Sequence, residues 1–200
     1  MILFFQKLSL KTRLVGVIVA FLGVVASYLL VNSTPFGVAQ LREFSGGRGL
    51  LENLFWFTPQ QAQAVFSAWG PQGQGWYTRV LFPLGLFLPV FLAGFFTLVF
   101  LYMLKRINPR WSFWYLSPWL ALAGGGIDLL FALHEWVLAS GVVDFDFFYW
   151  TGAVLAAGRW LAWGLCLVWS GVLLVWHAFQ RLNRILAKHH ESREEEPEQP

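Results

Sequence analysis

Apolar residues run along this chain in four long stretches, at about 14–31, 83–104, 113–138 and 148–178, with polar residues collected between them. Each stretch carries at most one or two charges and reaches or approaches the roughly 20 residues that a helix needs to cross a hydrocarbon layer about 30 Å thick. In lipid the backbone amides of a segment must be satisfied within that segment, so runs of this length predict helices. The pattern therefore predicts an all-α, integral membrane four-helix bundle over 1–180, followed by a disordered, charged tail over 181–200. Lys7, Lys11 and Arg13 precede the first stretch in the manner of a signal peptide, but the run is about 18 residues long and no small-residue cleavage site follows, so it reads as an uncleaved span.

The loop between the first two spans, 32–82, carries its own helix signal. Thr58-Pro59-Gln60-Gln61 supplies an N-cap threonine, a proline at the first helical position and a glutamine at the capping-box position, and Gly70-Pro71 marks the stop. With Phe55-Trp56-Phe57 just before it, this short helix suits the interface between lipid headgroups and water. Gly46-Gly47-Arg48-Gly49 reads as a turn rather than a phosphate cradle, since neither a preceding strand nor a following Gly-Lys-Ser/Thr is present. Pro89 lies inside the second span and predicts a kink there.

Composition turns the pattern into a statement about solvent. Hydrophobic residues make up 57% of the 200 and charged residues 12%, with 12 Trp and 20 Phe, so the chain needs lipid around it. The formal net charge of +3 does not mark a nucleic-acid binder, because the basic residues flank the spans instead of forming a patch. Lys7, Lys11, Arg13, Lys105, Arg106, Arg110, Arg181, Arg184, Lys188 and Arg193 all fall on one side, against Arg42, Arg48 and Arg79 on the other, and the loop after span three holds only Asp144 and Asp146. The positive-inside rule then puts both termini in the cytoplasm, and the compact chain suggests a bacterial inner membrane.

Several chemistries are excluded. The single cysteine, Cys166, allows no intrachain disulfide, CxxC redox pair or cysteine zinc site. His134 and His177 lie near opposite faces of the membrane, too far apart to share a haem. Ser170 and His177 lack an orienting acid, and His189-His190 lack further metal ligands. No metal and no cofactor are expected.

One segment remains. Gly124-Gly125-Gly126-Ile127-Asp128 and Glu135 put carboxyls inside span three, and Arg159 is the one basic residue within any span. Counted from the short turn joining spans three and four, Asp128 and Arg159 each lie about ten residues in, roughly 15 Å deep at 1.5 Å per residue. An isolated charge at that depth costs about 2.5–3.5 kcal/mol or more, and pairing the two offsets much of it. Glu135, two helical turns outward on the same face, is expected at the level of Thr151-Gly152, while His134 points away. Gly124, Gly125 and Gly126 on span three and Gly152 and Gly158 on span four predict close helix packing around the pair.

Asp128, Arg159 and Glu135 read equally as a structural clasp or as a polar site for a ligand or protons. With no nucleophile and no metal set, the leading expectation is a non-enzymatic accessory, assembly or scaffold component, its partners being membrane lipid and other membrane-protein subunits. The alternative is a small enzyme or carrier for a lipid-like or quinone-like molecule, with Arg159 holding an anionic or carbonyl oxygen.

Overall fold

The computed structural model describes residues 9–33, 37–47, 50–107, 112–143 and 145–194, without the side chains of 112 and 188–194. Lys7, Arg48 with Gly49, Arg110, Asp144 and the tail beyond Glu194 lie outside the described residues. Helices account for every long element, with no strand among the described residues, and four of them are long and apolar enough to cross a membrane.

Helix α1, Leu10–Asn32, starts a turn earlier than hydropathy predicts, because the Ser9 hydroxyl accepts from the Thr12 amide at 3.1 Å and caps it. Arg13, counted above as a flanking charge, is buried, and its Nη1 donates to the Leu101 carbonyl at 2.6 Å. The connection that follows holds a short helix α2, Val38–Phe44, and a 3-10 turn, Leu51–Asn53. Helix α3, Pro59–Trp76, opens with the capping box: the Gln61 amide donates to the Thr58 hydroxyl at 3.3 Å, and the Thr58 amide donates to Gln61 Oε1 at 2.9 Å.

Gly70 interrupts α3 with φ 59° and ψ −178°, a conformation open to glycine and strained for other residues. The Phe66 carbonyl, four residues earlier, is taken up by Gln74 Nε2 at 3.0 Å, so the helix resumes at Pro71 instead of ending. The second span thus begins well before residue 83. It passes through a π-helical turn, Tyr77–Leu81, closed by the Phe82 amide on the Tyr77 carbonyl, then α4, Phe82–Gly85, and α5, Phe87–Ile107. Both irregularities lie one turn before a proline, Pro83 or Pro89, which has no amide to donate and whose ring crowds the carbonyl four residues back. Near Pro89 the helix is irregular only at Leu86, whose backbone stays right-handed (φ −63°, ψ −24°) and whose amide still reaches the Phe82 carbonyl at 3.2 Å.

A 3-10 turn, Ser112–Leu116, leads into α6, Ser117–Ala139, and α7 runs unbroken from Asp146 to Glu194. Its 49 residues make a rod of about 74 Å. Residues 181–194 are therefore helical where their charge predicts disorder: Arg, Leu, Ala, Lys and Glu are strong helix formers, and a helix already nucleated in the span extends through them without a second nucleation cost.

Helices α5, α6 and α7 pack against one another, while α1 leans on α5. Two apolar clusters fill the interior. One, at the end that carries the 37–58 connection (the loop end), is built from Leu41, Leu51, Phe57, Phe66, Trp69, Tyr77, Phe131 and Tyr149. The other, toward the chain termini (the termini end), is built from Phe96, Phe100, Ile107, Ala121, Trp163, Cys166 and Leu173. Asp128 and Arg159 sit where the two clusters meet.

Candidate polar site between the spans

Helix α6 turns Asp128 toward α7, and α7 answers with Arg159 and, one turn on, Trp163. Arg159 Nη1 lies 3.3 Å from Asp128 Oδ1, and Trp163 Nε1 donates to Asp128 Oδ2 at 3.0 Å, so both carboxylate oxygens are held. The side chains of the ion pair are 10% and 13% exposed. The guanidinium also lies over the Phe131 ring, 4.6 Å from its centroid.

The 3-10 turn closes over this pair. Arg159 Nη2 donates to the Glu52 carbonyl, and Trp160 Nε1 donates to the Leu54 carbonyl at 3.2 Å. A connection about a hundred residues away in sequence thus reaches down onto α7. Burial pushes the Glu52 carboxyl above its ordinary pKa, with the neighbouring Arg159 charge acting in the opposite direction. Beside the pair is a cavity of about 320 Å³, lined by Tyr28 of α1, Pro89 of α5, Asp128 of α6, Arg159 and Trp160 of α7, and Glu52 of the turn. All four long helices contribute to its wall, because α1 stands against α5 and leaves a gap toward α7.

Glu135 is 1% exposed, and its oxygens meet no partner at good hydrogen-bond geometry, although Tyr77 and Glu52 lie close enough for looser hydrogen bonds. Its polar neighbours are Glu52 and Tyr77, with Arg159 within electrostatic range, so it faces the connection and the π-helical turn and not, as depth alone predicts, Thr151 and Gly152. His134 is the residue that meets Thr151. The Thr151 hydroxyl donates to the Phe148 carbonyl at 2.7 Å and accepts from His134 Nε2 at 2.9 Å, and the imidazole stacks on Phe148 with centroids 4.1 Å apart. That is a packed, structural histidine.

The glycines divide. A Cβ on Gly125 would come within 2.6 Å of the Ala93 Cβ, so Gly125 lets α6 approach α5 rather than α7. Gly124 faces Ala162 and Trp163 of α7 at 3.4 and 3.5 Å. A Cβ on Gly152 would come within 2.7 Å of the His134 ring, so its role is to seat that ring. Gly158 would make only an ordinary contact, 3.6 Å from Ile127, and Gly126 would meet nothing within 4 Å. Gly126 is therefore removed from the expected packing surface, and Gly158 is not a point of forced close approach.

Glu52, Tyr77 and Trp163 are the site residues that sequence reasoning missed. The only local sign is at Glu52, an acid inside the apolar run Leu50-Leu51-Glu52-Asn53-Leu54-Phe55. Among the described residues no group of three or more His, Cys, Asp and Glu side chains is arranged to hold a metal ion. No family model, curated protein or solved structure matches the chain.

Proposed function

We propose that this is an integral membrane protein that binds an amphiphilic small molecule between its spans, with Asp128 and Arg159 at the polar end of the site and apolar helix surface along the rest. The observation that carries this reading is the cavity of about 320 Å³ to which all four long helices contribute and in whose wall the ion pair sits. A structural clasp alone needs no such space beside it. Pockets for small molecules are mostly apolar clefts with a few convergent polar groups, and this one has that character. The flanking basic residues support cytoplasmic termini in a bacterial inner membrane, with the 37–58 connection and the start of α3 at the outer interface.

The test is what stays bound to the full chain after gentle extraction in a neutral detergent. The wild type is expected to retain a small amphiphile in about one-to-one ratio by native mass spectrometry, and Ala132→Phe, which fills the cavity from its α6 wall while keeping both members of the ion pair, is expected to lose it while remaining folded. The clasp reading wins if nothing is retained, Asp128→Asn and Arg159→Ala each prevent accumulation, and the charge-exchanged double variant restores it.

A second reading, as a subunit of a larger membrane assembly, is favoured by α7. Gly164 and Gly171, one heptad apart, have no heavy atom within 4 Å of where a Cβ would stand. Phe179, Leu182 and Leu186 continue an exposed apolar stripe past them. Small residues at such spacing let another helix approach closely.

A further inference from the structure

Charge in the buried cluster at the loop end is out of balance. Arg159 binds Asp128 directly, and Glu52 and Glu135 both feel its charge, so one guanidinium serves three carboxyls. Its donors are also engaged: one nitrogen on Asp128, another on the Glu52 carbonyl. The charged and titratable groups facing Glu135 are Glu52 from the 3-10 turn, Tyr77 from the π-helical turn and Arg159 from α7. Those facing Glu52 are Arg159, Asp128, Glu135 and Tyr77. None of these brings a second positive charge.

A buried carboxyl beside a second carboxyl is stable only when a proton or a cation accompanies it. Glu135 is such a group, and Glu52, which adjoins it, is also in the cavity wall. Tyr28, Trp160 and Trp163 line the same space, and aromatic faces attract organic cations.

We propose that the cavity takes the cationic head of an amphiphile, a lipophilic amine or quaternary ammonium, countered by Glu52 and Asp128 in its wall with Glu135 behind them, and that protons compete with this cation for the cluster. The inference rests on the reading of the cavity as a binding site and gives it a charge. It reverses the polarity that Arg159 alone implies, because an anionic head would add to a carboxyl surplus. Entry of the cation ionises the protonated acids: their O–H bonds break, the protons pass to water, and no electrons are transferred.

The test uses three probes with one tail, decyltrimethylammonium, decanol and decyl sulfate, in equilibrium binding to the full chain in neutral-detergent micelles. Expected is saturable binding of the cation at one site per chain, weakening as pH is lowered. Glu52→Gln and Glu135→Gln, which keep side-chain size, should each weaken it roughly tenfold and flatten the pH dependence. Preference for decyl sulfate or decanol overturns the cationic assignment while leaving the cavity reading in place. Cation binding that ignores both pH and the two Gln variants overturns the role of the carboxyls. Absence of saturable binding by all three probes overturns the cavity reading itself.

Discussion

At the termini end of the bundle, most polar groups that enter the apolar packing find partners there, Thr97 Oγ1 and Gln180 Oε1 being the exceptions, and none of these groups is a carboxyl. Trp169 Nε1 donates to the Ser117 hydroxyl at 2.7 Å, that hydroxyl donates to the Trp114 carbonyl at 2.6 Å, and Ser170 donates to the Cys166 carbonyl at 2.7 Å. Arg13 caps the Leu101 carbonyl in the same region. In the buried cluster at the loop end the balance differs: one guanidinium stands among three carboxyls, and Glu135 is buried with only Tyr77 and another carboxyl, Glu52, beside it. Closed networks hold helices in register. A surplus of buried acid beside a cavity is costly unless something fills it, and the proposed binding role rests on this difference.

Five measurements sharpen the comparison. Arg159→Ala has the largest expected effect, a loss of about 3–5 kcal/mol in unfolding measured in detergent, because it leaves Asp128 buried without its charge partner. Next is Gly125→Ala, which forces α6 off Ala93 and should cost about 1–3 kcal/mol in the same measurement. Gly126→Ala, one residue along the helix, should leave stability unchanged or raise it by up to about 1 kcal/mol through helix propensity. Equal costs for the two would mean that the α5–α6 contact is not what Gly125 provides. At the termini end, Ser117→Ala should cost about 1–2 kcal/mol, since it removes two hydrogen bonds and leaves Trp169 Nε1 without its acceptor.

The mildest expected effect is a slope. Burial raises the Glu52 pKa in the folded state, so the folded protein holds this proton more tightly than the unfolded chain does. The resulting stability is fully present below the unfolded pKa and is lost as pH rises through the folded one. Thermal unfolding of the ligand-free protein should therefore come earlier as pH rises through that window. Glu52→Gln should flatten this slope, and an unchanged slope would assign it to another group.

Much of the fold was legible because lipid makes hydropathy and helix length nearly equivalent. The meeting of Asp128 and Arg159 was legible for a similar reason: two neighbouring antiparallel helices joined by a short turn make depth a matter of counting. Boundaries were less legible, since the early starts of α1 and of the second span depend on the Ser9 cap, on Pro71 and on the Gln74 side chain, none of which changes hydropathy. The glycine run was over-read. Three consecutive helical residues point in three directions about 100° apart, so Gly124, Gly125 and Gly126 do not form one surface.

The sequence by itself determined four apolar helices, a capped helix in the first connection and an acid and a base at matched depth between adjacent spans. Those follow from local periodicity, from caps a few residues long and from rise per residue. Only the tertiary structure decided that the 3-10 turn folds onto Arg159, that Glu52 and Tyr77 face Glu135, and that α1 stands off α7 to leave a cavity. These are contacts between elements distant in sequence, set by how helices lean on one another, and a one-dimensional pattern carries no record of that.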